Sequence, residues 1–154
     1  MERDIPVIAR RTLFVLLTVV AWTPSFVLAD HKLVLVTRED SPLSNISALD
    51  LRKLYLGFVV YSDTGRQIHP ISNHSDARAW EIFLQDVVGM SARTYDRRLL
   101  TLTLQTGRHR PQVFNELEYV LDAIAANPLA IAFVWQEDLQ HRENIKVIRV
   151  LWQH

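Results

Sequence analysis

The chain has 154 residues, no cysteine, and 17 basic against 17 acidic side chains. That balance excludes the broad basic surface of a nucleic-acid binder, and the missing thiols exclude disulfide staples, cysteine nucleophiles and thiolate metal sites. Hydrophobic residues make up 49% of the chain, enough to fill an ordinary core without covalent help.

The first 29 residues read as a secretory signal. Arg3, Arg10 and Arg11 form the charged start, residues 12–22 (TLFVLLTVVAW) the apolar middle, and Val27-Leu28-Ala29 an A-x-A-like cleavage site. Pro24 and the short apolar run set this segment apart from a membrane span. Residues 30–154 then form one domain carrying 14 basic and 15 acidic side chains, destined for the periplasm.

Leu33-Val34-Leu35-Val36-Thr37 is apolar and β-branched, a strand covered on both faces. Ser41-Pro42 takes the chain out of the sheet. Ser47-Ala48-Leu49-Asp50 resembles a capping box and opens a helix with Leu51, Leu54 and Tyr55 on one face, ended by Gly57. Residues 58–61 and 67–71 are two short extended pieces around the Ser62-Asp63-Thr64-Gly65 turn.

Ser72-Asn73-His74-Ser75-Asp76 is rich in helix-capping side chains. From Ala77, residues Trp80, Phe83, Leu84, Val87 and Val88 recur at three and four, an amphipathic helix stopped by Gly89. Ser91 caps the next helix, with Tyr95, Leu99, Leu100 and Leu102 facing inward. Residues 105–112 form a loop. A further helix opens at Asn115, buries Leu117, Val120, Leu121 and Ile124, and stops at Asn127-Pro128. Residues 129–135 (LAIAFVW) and 145–151 (IKVIRVL) complete the strands. Strands separated by helices give an α/β class, a central mixed sheet flanked by helices.

Four stretches in this order resemble the phosphate-binding-protein-like branch of the periplasmic solute-binding proteins of ABC importers. Residues 34–47 (VLVTREDSPLSNIS) are similar to the family's strand followed by N-x-x-N-P-x-S-x-L-[ST]. Residues 49–57 (LDLRKLYLG) are similar to L-R-x-I-F-x-G, and residues 65–71 (GRQIHPI) to G-x-x-I-x-P-V. The AIAANPLAIAFV run within residues 120–134 is similar to V-A-x-x-P-G-A-I-G-Y-V. The resemblance implies a periplasmic-binding-protein-like lobe, the second of the family's two, with its hinge strands. Two departures stand out. The family's Ser-Gly-Thr-like phosphate turn is replaced by Ser72-Asn73-His74-Ser75-Asp76-Ala77-Arg78, and two of its glycines by Leu129 and Ala132.

Three anion-binding candidates follow. A helix start offers free N–H groups and a positive dipole end, and Ser72, Ser75 and Arg78 would add hydroxyls and a guanidinium fork. Asp76 would accept a proton from a protonated phosphate oxygen. Thr106-Gly107-Arg108-His109-Arg110 resembles the family's T-G-R-G loop. Ser41 follows a strand end, where open α/β sheets place ligands. The bland counterparts are a plain helix cap, a solvated basic loop and an ordinary connection.

The six histidines show no H-x-x-x-H or H-E-x-x-H spacing, and G-x-S-x-G does not occur. The expectation is therefore no metal, no cofactor and no enzymatic activity. Two functions remain: a solute-binding module for phosphate or a similar oxyanion, in ABC-type uptake or sensing, or a ligand-free interaction module docked on another envelope protein. The partners expected besides the oxyanion are such an envelope protein or a second copy of the chain through self-association. Export predicts cleavage after Ala29, so intact-mass spectrometry of protein recovered from the exported fraction should give a chain that begins at Asp30. Recovery of the full-length mass would instead establish an uncleaved anchor.

Overall fold

The computed structural model describes residues 31–154; the segment 1–29, read above as a secretory signal, lies outside them. In chain order the elements are β1 (Lys32–Arg38), α1 (Ala48–Tyr55), β2 (His69–Asn73), α2 (Ala77–Ile82), α3 (Ala92–Thr106), β3 (Gln112–Phe114), α4 (Leu117–Ala126), β4 (Ala130–Trp135) and β5 (Ile145–Gln153). A π-helical turn, Phe83–Val88, prolongs α2, and a 3-10 turn, Gln136–Leu139, follows β4.

The sheet runs β3-β2-β4-β1-β5. Antiparallel pairing joins β1 to both β4 and β5, while β2 runs parallel to β3 and β4. The central pair explains its own composition. Leu33, Val34, Leu35 and Val36 on β1 and Ile131, Ala132, Phe133 and Val134 on β4 are all fully buried. Side chains alternate along a strand, so a continuous apolar run requires cover on both sides.

One face carries α1, α2 with its π turn, and α3. There Leu33, Leu35, Ile131 and Phe133 meet Leu51, Leu54, Tyr55, Phe83 and Leu84. Phe83 and Phe133 stack at 4.0 Å between centroids, and Tyr55 meets Phe83 edge-on at 4.5 Å. Each such pair adds about 0.5–1.5 kcal/mol beyond burial. The other face is covered by α4, whose Val120, Leu121 and Ile124 pack on Val34, Val36, Ala132 and Val134. Leu129 and Ala132, at the positions where the resembling family has glycine, are core packing residues.

The α/β class and the flanked mixed sheet match the expectation, with local differences. Ser47 accepts the Asp50 amide at 3.0 Å and donates to the Asp50 carboxylate at 2.7 Å, closing the start of α1 as read. Residues 58–61 do not form a strand; only Tyr61 bridges Gln67. The 105–112 loop is shorter at both ends, because α3 continues to Thr106 and β3 begins at Gln112. Leu100, expected inward, is 49% exposed, since Tyr95 and Leu99 already set the buried stripe of α3.

Two tyrosines tie helices to the sheet side of the core. The Tyr55 hydroxyl donates to the Ile71 carbonyl at 2.9 Å, and the Tyr95 hydroxyl to the Tyr55 carbonyl at 2.7 Å. Burial pushes both hydroxyls above the ordinary tyrosine range; a hydrogen bond from Ser72 opposes this at Tyr95. A raised folded value means that this stability is whole below about pH 10 and is lost as the pH climbs through the folded values. Denaturant midpoints should therefore fall between about pH 9 and about pH 11, and fall less steeply in Tyr95→Phe. A midpoint unmoved by pH in the native chain would overturn this account.

Candidate functional site

The eight candidate residues divide between two ends of the sheet. Ser72, Ser75, Asp76 and Arg78 lie around the C-terminal end of β2. Ser41 and Arg108 lie near the end where β2 and β4 begin, and Thr106 and Gly107 lead into it at the close of α3.

At the first end, most of the polar groups are already engaged. Ser72 is buried within β2, where its hydroxyl serves Tyr95. Asn73 is also buried, and its amide donates to the Phe133 carbonyl at 3.0 Å. Its side-chain oxygen accepts both the Ser75 amide (3.0 Å) and the Ser75 hydroxyl (2.6 Å). Asp76, in an extended conformation, is the residue that caps α2, accepting the Ala79 amide at 2.6 Å. The amides of Ala77 and Arg78 have no acceptor, and the exposed Arg78 guanidinium no partner, among the described residues.

The electrostatics here are acidic. Burial raises the Asp138 carboxyl, and the nearby charges of Glu137 and, more weakly, Asp76 raise it further, against the opposing Trp135 backbone bond. A carboxylate therefore caps the helix start and a second stands within electrostatic reach of it. His74 lies tilted against Trp80, 4.3 Å between ring centroids, and its Nε2 has no hydrogen-bond partner among the described residues; burial lowers its pKa, against the pull of Asp96.

At the second end, Ser41 is structural. Its hydroxyl donates to the Pro128 carbonyl and accepts the Leu43 amide at 3.2 Å, while its carbonyl takes Lys146 Nζ at 2.7 Å. Thr106 donates to the Leu102 carbonyl at 2.6 Å, and Gly107, with φ of 65°, closes α3 through its amide on the Thr103 carbonyl. This left-handed turn favours glycine and directs the next residue away from the helix. Arg108 then lies over the Phe58 ring, 4.5 Å from its centroid, beside a cavity of about 590 Å³. Phe58 and His69, which also line the cavity, were not singled out in the sequence as site residues. No local spacing links Phe58 to Arg108; fifty residues separate them.

No group of histidines and acids among the described residues converges as a metal site, and no described helix is long and apolar enough to cross a membrane.

Comparison with known family profiles and with curated proteins gives no match. Solved structures do match the fold. The chain is similar to an ABC-type phosphate transport receptor from Vibrio cholerae, with TM-score 0.57 and 14% identity over 78% of this chain and 46% of that one. It is similar to a protein assigned as a phosphate ABC transporter substrate-binding protein, holding phosphate, from Clostridium perfringens (TM-score 0.58, 14% identity, 78% and 45%). It is likewise similar to PstS from Borrelia burgdorferi (TM-score 0.55, 12% identity, 77% and 47%). At these identities the likeness is one of fold, and the chain spans about half the length of the receptors it matches. The described domain thus has the fold of one portion of a phosphate-receptor-type binding protein.

The capping role of Asp76 is directly testable. Asp76→Ala should cost about 1 kcal/mol of unfolding free energy, and Asp76→Asn much less, because asparagine caps nearly as well. Equal losses from the two variants in urea titrations would show that charge, rather than the cap, holds this turn.

Proposed function

We propose that the chain is an exported solute-binding lobe that takes a small oxyanion, and that its anion contact lies at Arg108 rather than at the start of α2. The likeness in fold to phosphate receptors supports the solute-binding reading. The observation that carries the choice of end is Arg108 itself: its guanidinium lies over Phe58 in the lining of a cavity that includes no carboxylate. A ring face orients the guanidinium without neutralising its charge, which leaves the planar fork for an oxyanion. The start of α2 offers two amides and Arg78, but Asp76 already occupies the cap and Asp138 adds charge of the wrong sign. An anion would have to arrive protonated to sit there. No constellation for catalysis is part of this reading.

A second reading, the ligand-free interaction module, has its own support. The acidic cap stands where the resembling family grips phosphate, and the outer strand β5 exposes Val147 and Val150. Such a lobe would dock on another envelope protein.

Calorimetric titration of the exported protein, stripped of bound ligand, with phosphate and then sulfate separates the two. Saturable binding lost in Arg108→Gln and kept in Arg78→Gln is the expected result. Loss in Arg78→Gln alone would move the site to α2. No heat and no thermal shift at millimolar phosphate or sulfate would remove an inorganic oxyanion as the ligand and favour the interaction module.

A further inference from the structure

The cavity beside Arg108 has a chemistry of its own. It lies between the end of α1, the first residues of β2, the loop before β3 and the end of α4. Its volume of about 590 Å³ falls within the usual range for small-molecule sites. Phe58, Pro70, Pro111 and Ala126 supply apolar walls. His69, Arg108, His109 and Arg110 supply the polar rim. No Asp or Glu lines it, and neither arginine has an ion-pair partner among the described residues. Each imidazole offers a ring N–H in either neutral tautomer.

The walls are held in place by the fold. Pro111 is buried, and the following residue pairs with Ile71 as β3 joins β2. Gly57, with φ of 82°, turns the end of α1 alongside the loop, where a Cβ would make ordinary contact with the His109 carbonyl at 3.5 Å. Arg108 is fixed from below by Phe58. A site with a preset guanidinium, a second arginine and flat apolar walls selects an anion that carries apolar surface. Inorganic phosphate or sulfate would satisfy the rim and leave the walls wet.

We propose that this cavity binds an organic carboxylate with a flat apolar body, its carboxylate on Arg108 and Arg110 and its body against Phe58 and the two prolines. The proposal rests on the solute-binding reading and narrows it: the ligand is larger and less polar than inorganic phosphate. A carboxylate fits the two-pronged guanidinium, and burying the body contributes about 25 cal/mol per Å² of apolar surface removed from water.

The test is an NMR titration of the exported protein with phenylpropionate, its neutral counterpart phenylpropionamide, and inorganic phosphate. Phenylpropionate should shift the backbone amides of residues 57–59, 67–69, 71, 108–110 and 112 in a saturable way and bind at least about tenfold more tightly than phenylpropionamide, the factor that one charge-assisted contact supplies. Arg108→Gln and Arg110→Gln should each weaken binding about tenfold while the rest of the spectrum stays in place, with Arg108→Lys intermediate. Equal binding of acid and amide, shifts confined to other surfaces, or no saturable shift in the native chain would each overturn the proposal. Phosphate binding at Arg108 without phenylpropionate binding would overturn it and leave the oxyanion reading standing. Failure of both anions would remove both.

Discussion

The structure depends on one constraint: β1 and β4, side by side at the centre of the sheet, bury both of their faces. Eight consecutive-type positions, Leu33 to Val36 and Ile131 to Val134, have no exposure to water. Neither strand is stable as half of a one-sided sheet, so helices must cover both sides. On one side the cover is aromatic, with Phe83 and Tyr55 against Phe133. On the other it is aliphatic and thin, Val120 and Ile124 against Ala132 and Val134. Small residues of β4 face α4 and large ones face α1 and α2. The alternation Ala-Ile-Ala-Phe-Val thus writes the thickness of the two layers into one strand.

This constraint also places the two candidate ends. Because β1 is antiparallel to β4 while β2 is parallel to it, the turns that follow β1 and β2 emerge at opposite edges. Ser41 and the Ser72-to-Arg78 stretch could never share a ligand. The tyrosine ties reinforce the separation. Tyr95 takes up Ser72 from below and Tyr55 takes up the Ile71 carbonyl, so the middle of β2 serves the core and only its ends are left for chemistry.

Much of the fold was legible in the chain because its signals are local. The apolar runs at β1 and β4, the Ser47–Asp50 box, the spacing of Phe83, Leu84 and Val88, and the stops at Gly89 and Asn127 each operate within a few residues. β3 was missed because three residues after a proline carry no periodicity; its pairing with β2 is decided by tertiary contact. Leu100 was misplaced for a related reason. Four leucines crowd the second half of α3, and which of them turns inward depends on where Tyr95 and Leu99 dock. The site was less legible than the fold. Serines and an aspartate before a helix look alike whether they grip an anion or one another. The bonds from Ser75 to Asn73 and from Ala79 to Asp76 decide between these, and neither follows from residue types alone.

The same residues set the balance of charge at the two ends of the sheet. A helix start with a carboxylate at its cap has met the demand of its dipole from within. The local free energy that an incoming anion would supply is already present in the resting protein, and Asp138 nearby makes a second negative charge costly. The arginines on the far side meet no such competition. Arg108 satisfies its packing on a ring, which leaves its charge outstanding, and Arg110 lies beside it on the same loop. In a domain with 14 basic and 15 acidic side chains, unneutralised charge gathers where the sequence supplies arginine without a nearby carboxylate. Residues 105–115 are such a stretch: two arginines, a histidine and no acid. The fold sets that stretch against an apolar hollow at the start of β2, whose lining among the described residues includes no carboxylate.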